Sequence, residues 1–297
     1  MQISGLHTAV ITPFHASGDV DVDAMRRILD IQLAGGVDGV VVTGSTGEAA
    51  TLSLAEREQL WRIAVEHCAG RITVTAGVGT NDTRSTIENA KAAQAAGIDA
   101  LLIVSPYYNK PTQAGLLAHF RAVHDAVTIP QILYNVPGRT GQNLSAQTQL
   151  AIAEACPNII ATKEASANLE QMSEIIAHAP DHFALLAGDD VLALPTIACG
   201  GRGVIAVISN YFPRTYGALI RAVLQDDVPT ARELQDALLP YFAANFIETN
   251  PLPVKYIMHK LGHCANVLRL PLVPVTAASA AALDELVATI DDSRLGQ

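Results

Sequence analysis

Strand-like and helix-like segments alternate about every 25 to 30 residues as far as roughly residue 225 of this 297-residue chain. The strand-like runs are 7–12, 39–43, 71–76, 100–105, 131–135, 159–163, 183–187 and 203–208. Each is almost continuously apolar, as expected of parallel strands covered on both faces. The segments between them carry helix ends. Ser53 with Glu56 forms a capping box before Leu60 and Ile63. Asp21, Thr112 and Ser145 stand at N-cap positions, and glycines 35, 36, 70 and 97 stop helices before the next strand. Eight equal βα units predict an α/β fold of the TIM (β/α)8 barrel type. A doubly wound sheet is the rival, but it would usually offer a Gly-rich dinucleotide loop, and Gly77-Val78-Gly79 lacks the later glycine and an acidic partner.

After Gln225-Asp226-Asp227 the rhythm stops. Residues 227–297 predict only helices, broken at Pro240, Pro251-Leu252-Pro253 and Pro271-Leu272-Val273-Pro274, so the chain divides into a barrel at 1–226 and a C-terminal helical appendage at 227–297. No Gly/Ser-rich linker separates the two.

In such a barrel the chemistry sits where strands end and the following loops begin. Lys163 ends the run Ile159-Ile160-Ala161-Thr162, and the other four lysines have unremarkable positions. A lysine desolvated at a strand end can lose its proton near neutral pH and attack a carbonyl. The bland alternative is an ammonium that reaches solvent or pairs with Glu164. The second strand ends in Gly44-Ser45-Thr46-Gly47-Glu48, a turn with free backbone N–H groups suited to a small carboxylate, or merely a strand-to-helix turn. Tyr134 ends the fifth strand, and Tyr107 and Tyr108 follow the fourth. Alone, each is an ordinary packing tyrosine; with Ser45 and Lys163 they form a hydroxyl cluster able to move protons. Arg139, between Gly138 and Thr140-Gly141, is placed to grip a carboxylate bidentately, unless it is a solvated loop residue. Asp189 and Asp190 after the seventh strand read as helix caps, since no histidine stands at another strand end to complete a metal site.

Composition narrows the partners. The net charge of −10 argues against nucleic acid or anionic lipid. No apolar run approaches a membrane span and no signal-like segment opens the chain, so a cytoplasmic enzyme is expected. Cys68, Cys156, Cys199 and Cys264 are scattered without a C-x-x-C pair, and all four are expected to be buried thiols.

These strand-end motifs, in this order from about Leu6 to Pro274, resemble the dihydrodipicolinate synthase / N-acetylneuraminate lyase family of pyruvate-dependent class I aldolases. Gln131 to Gly141, Asn250-Pro251-Leu252-Pro253-Val254-Lys255 and Leu268-Arg269-Leu270-Pro271 are most similar to its synthase branch. The resemblance implies that Lys163 forms an imine with pyruvate and that Tyr134, Ser45 and Tyr108 relay protons, with Tyr108 reaching into a neighbouring subunit's site. It implies that the amides of Ser45 and Thr46 hold the pyruvate carboxylate and that Arg139 binds the carboxylate of L-aspartate 4-semialdehyde. Gly188 and Ile205 match positions that line the site by main chain.

The implied reaction gives 4-hydroxy-tetrahydrodipicolinate, on the route to diaminopimelate and lysine, with no metal or cofactor beyond the covalent imine and with a homotetramer, or a dimer, as the assembly. A pyruvate-dependent lyase of a sugar acid and a non-catalytic pyruvate-binding paralogue are the alternatives. Ser45-Thr46 departs from the Thr-Thr usual in the synthases and is typical of the sialic acid lyases. Lysine-sensitive relatives place two histidines and a glutamate where this chain has Leu54, Arg57 and Ser85, while Asn81 and Tyr107 are kept, so insensitivity to lysine is expected.

Overall fold

The computed structural model describes residues 2–290, so Met1 and the 291–297 end of the expected C-terminal region lie outside the described residues. Eight parallel strands close into a barrel in sequence order: β1 (Gly5–Ala9), β2 (Gly39–Val42), β3 (Thr73–Gly77), β4 (Ala100–Val104), β5 (Gln131–Asn135), β6 (Ile159–Glu164), β7 (Ala184–Ala187) and β8 (Gly203–Ala206), with β8 pairing back onto β1. The connecting helices are α1 (Val22–Gly35), α2 (Leu54–Cys68), α3 (Thr83–Ala95), α4 (Gln113–His124), a single turn α5 (Pro137–Thr140), α6 (Ala146–Ala155), α7 (Leu169–His178), α8 (Ala193–Ala198) and α9 (Pro213–Leu224). Beyond them come α10 (Val228–Ala244), α11 (Leu252–Lys260) and α12 (Ala277–Val287). The expected TIM barrel followed by helices is therefore observed.

The strands form because their alternation serves two cores at once. Val40, Val42, Val74, Ile103 and Leu133 face outward and pack under the helices. Ala9, Val41, Leu102, Ile132, Tyr134 and Ile205 face inward and fill the barrel. Neither face is wet, so no polar stripe interrupts the runs. The capping box at Ser53 and Glu56 and the N-caps at Asp21, Thr112 and Ser145 all form.

Strand ends move where side chains take over the backbone. The first apolar run extends to Thr12, yet β1 stops at Ala9, and the Ile11 amide donates to Asn210 Oδ1 at 3.1 Å instead of to the ladder. The eighth run extends to Ile208, yet β8 stops at Ala206, because the amides of Val207 and Ile208 donate to the Asp190 carboxylate.

Three expectations are corrected. Pro240 does not break a helix: α10 runs through it with the ring exposed, and the burial of Leu238, Tyr241 and Phe242 outweighs the one lost backbone hydrogen bond. Asp189 and Asp190 cap no helix with their side chains; the short 3-10 turn after Asp189 has no side-chain cap. Cys199 is exposed at the end of α8, whereas Cys68, Cys156 and Cys264 are buried.

Candidate active site

At the carboxyl ends of the strands lies a cavity of about 370 Å³. Its floor begins at the end of β2. Thr43 adopts a left-handed backbone (φ 53°), and its hydroxyl donates to the Gly77 carbonyl at 3.0 Å while accepting from Trp61 Nε1 at 2.8 Å. Gly77 must be a glycine there, because a Cβ would stand 2.4 Å from the Thr43 carbonyl oxygen. The turn that follows is closed by Glu48 N–H donating to the Ser45 carbonyl at 3.1 Å and by Ala49 N–H donating to that of Gly44 at 3.2 Å. Among the described residues, neither the Ser45 nor the Thr46 amide donates to a backbone carbonyl, which leaves two adjacent donors beside the cavity. Ser45 is exposed on the cavity wall and Thr46 is buried beneath it.

Opposite this turn, β5 and β6 place Tyr134 and Lys163 side by side in register. Lys163 is 5% exposed and its Nζ lies 4.4 Å from the Tyr134 ring centroid. The π face stabilises an ammonium and does not hold the lone pair once the proton leaves. Glu164, next in sequence, points to the other face. Its carboxylate accepts from Asn135 Nδ2, Gln149 Nε2, Gln171 Nε2 and the Ser166 amide, at 2.7 to 3.1 Å. The alternative in which Lys163 pairs with Glu164 therefore fails. Among the described residues no carboxylate lies within salt-bridge distance of Lys163. The Lys163 charge is felt by the Asp189-Asp190 pair at the end of β7. Burial pushes both carboxyls up, Asp190 to about 6, and the Lys163 charge opposes that rise at each.

Arg139 stands in the single turn α5 rather than in an irregular loop. It is exposed toward the cavity, with Nη2 donating to the Asn250 carbonyl at 2.9 Å. The structure thus brings Ser45, Tyr134 and Arg139 onto one cavity, with Lys163 against the Tyr134 ring. Ile205 is buried in the barrel interior with Tyr134, and the Gly188 amide donates to the Glu164 carbonyl at 2.8 Å. Tyr108 is not brought to this cavity. It is 87% exposed on a left-handed backbone (φ 74°). Tyr107, its neighbour in sequence, is half-buried and lines the cavity.

Several residues at the site escape reading from the sequence. Glu48 and Lys255, 207 positions apart, form a fully buried ion pair directly behind the Ser45-Thr46 turn. Lys255 Nζ lies 4.2 Å from the Phe14 ring centroid, and the Arg269 amide donates to Glu48 Oε2 at 3.1 Å. Lys255 looked unremarkable because its partner belongs to another region of the chain. Asn250 donates from Nδ2 to Thr46 Oγ1 at 3.0 Å. Its only signal was its place in the Asn250-Pro251-Leu252-Pro253 string. Arg57, read from the sequence only in connection with lysine insensitivity, is buried against the wall of this cavity, with Nη2 donating to the Ala49 carbonyl at 2.6 Å.

The profile of the Dihydrodipicolinate synthetase family matches residues 2–290. The chain is 44% identical over 287 residues to the 4-hydroxy-tetrahydrodipicolinate synthase of Chloroherpeton thalassium, covering 96% of this chain and 95% of that one. It is 46% identical over 287 residues to the corresponding enzyme of Acidobacterium capsulatum, with the same coverage of 96% and 95%. The crystal structure of dihydrodipicolinate synthase from Aquifex aeolicus superposes with a TM-score of 0.95 at 42% identity, over 96% of this chain and 97% of the other.

Proposed function

The chain belongs to the dihydrodipicolinate synthetase family, and we propose that it condenses pyruvate with L-aspartate 4-semialdehyde through an imine on Lys163, giving 4-hydroxy-tetrahydrodipicolinate. The observation that carries this reading is a buried strand-end lysine over Tyr134 with no carboxylate in contact, on the same barrel mouth as Arg139. A buried strand-end lysine with no carboxylate tied to it is placed to act as the nucleophile toward a carbonyl.

The free amine of Lys163 adds to the pyruvate keto carbon, and loss of water leaves the protonated imine. The imine draws electrons from the neighbouring methyl, which gives up a proton to become the enamine carbon. That carbon attacks the aldehyde carbon of the semialdehyde and forms the new C–C bond. The amino group of the second substrate then adds to the imine carbon, closes the ring and releases Lys163 as the amine. Tyr134 and Ser45 relay the protons, completed by Tyr108 from a neighbouring subunit; an exposed aromatic at 87% suits a residue that works across an interface. The amides of Ser45 and Thr46 hold the pyruvate carboxylate, Arg139 holds that of the semialdehyde, and Gly188 and Ile205 shape the site by main chain. The reaction runs without a metal or other cofactor, in a cytoplasmic homotetramer or dimer. Within each subunit, the described residues up to 226 make up the catalytic barrel, and those from 227 to 290 make up the C-terminal helical region.

Sodium borohydride with pyruvate should trap a covalent adduct on Lys163, read by intact mass and peptide mapping. An unmodified protein, or an adduct on another lysine, ends the mechanism. Arg139→Ala should lose activity with the semialdehyde while still trapping pyruvate. A sugar-acid lyase is the second reading, favoured by Ser45 in place of threonine. A cavity-facing cation at Arg139 supports the synthase, because hydroxylated sugar chains have no need of it.

A further inference from the structure

We propose that Asn250 is a positioning residue that ties the two carboxylate-binding positions to each other, an inference that rests on the reaction proposed above. Asn250 lies between α10 and α11, outside the barrel, yet it is 6% exposed and lines the cavity at the barrel mouth. Its side chain reaches Thr46 Oγ1, 204 positions away, and its carbonyl receives Arg139 Nη2 from 111 positions away.

Each contact orients a donor. A hydroxyl that accepts from an amide keeps its own proton for a different acceptor. Thr46 is thereby left with an O–H to add to the amides of the pyruvate seat. The guanidinium is planar, so fixing one N–H on the Asn250 carbonyl fixes the direction of the rest of the fork. Asn250 Oδ1 has no partner among the described residues, and the Thr46 bond alone therefore holds the side chain. The two links run through one residue, one by side chain and one by main chain. A displacement of this segment moves the Thr46 hydroxyl and the Arg139 fork together. A residue contributed from outside the barrel thus sets the spacing between the two substrates.

The test measures rates of the full chain across both substrates for the wild type, Asn250→Ala and Asn250→Asp, with competent sites counted by borohydride trapping at saturating pyruvate. Removal of one oriented hydrogen bond should raise the KM for pyruvate and the KM for the semialdehyde each by about three- to tenfold. The trapped fraction and kcat per trapped site should stay within about twofold. Asn250→Asp keeps the shape but replaces the donor with an anion, and should raise both KM values further. A rise confined to pyruvate overturns the coupling, because Arg139 would then be held independently. A fall in kcat and in trapped sites, with both KM values unchanged, also overturns it, since that is the signature of a structural role. Wild-type protein that forms no adduct on Lys163 overturns the reaction itself and this inference with it, a result distinct from the other two.

Discussion

Replacing Lys255 with methionine removes one half of an ion pair that has no access to water. Both side chains are fully buried. Methionine matches the length of the lysine stem and can keep the contact with Phe14, so the change is chiefly electrostatic. Glu48 would be left with the Arg269 amide as its remaining donor. Removing one partner of a buried pair costs ~3–5 kcal/mol, because the other charge stays desolvated. Burial pushes the Lys255 ammonium down and Glu48 draws it back up. The pair as a whole is therefore worth less than the penalty for breaking it. For a chain of this size each kcal/mol moves Tm by about 2–4 °C. Lys255→Met should melt roughly 6–20 °C below the wild type, measured by calorimetry at pH 7.5, and the double variant Glu48→Gln/Lys255→Met should recover more than half of the loss. A single variant melting within about 2 °C of wild type would refute the reasoning.

Tyr134→Phe keeps the ring beside Lys163 and removes only the hydroxyl; kcat should fall by roughly 10²–10⁴, and a steady-state rate within threefold of wild type would remove Tyr134 from the relay. Lysine should leave the rate unchanged at sub-millimolar concentration. The Arg57 guanidinium donates to the Ala49 carbonyl and adds a cation where relatives carry a histidine, and Ser85, in place of a carboxylate, donates to Asp82 Oδ2 at 2.6 Å. Loss of one charged partner costs ~2–5 kcal/mol, roughly 30-fold or more in affinity, and clear inhibition in a lysine titration contradicts the reading. Asp190 gives a pH signature. Its folded pKa of about 6 lies above the unfolded value of 3.8, so between the two the folded state holds a proton that the unfolded chain has released. Stability from this group is full below about pH 4 and is lost as pH rises to about 6. The loss amounts to ~3 kcal/mol. Asp190→Asn should flatten that slope in urea unfolding at pH 4.5 and 7, and an unchanged slope counts against it.

The barrel was legible because its strands need nothing but neighbours: runs such as Gly39 to Val42 are apolar on both faces, and the rhythm between them fixes the order. Their ends were not legible, because Asn210 and Asp190 capture backbone amides from more than fifteen positions away. Pro240 misled for a related reason, since whether a helix continues past a proline depends on whether packing by neighbours such as Leu238, Tyr241 and Phe242 outweighs the lost backbone hydrogen bond. At the site, Lys163 stood out as a polar end to an apolar run, and Tyr134 and Arg139 through their local turns. Lys255 and Asn250 did not, as their partners Glu48 and Thr46 lie more than 200 positions away. Tyr107 and Tyr108 look equivalent in sequence; the left-handed backbone of Tyr108 sends them in different directions.

The ring of amides around Glu164 makes the chemical identity of each of its members matter to the strand end beside it. Asn135, Gln149 and Gln171 each donate to that carboxylate, and Asn143 bridges Asn135 and Gln171. A carboxamide is the side chain most open to spontaneous hydrolysis, which turns a donor into a second anion. A second carboxylate here would set two like charges against each other in a buried space, with no cation paired to Glu164 among the described residues. A carboxylate in place of any one of these amides would thus disturb the strand end that carries Lys163.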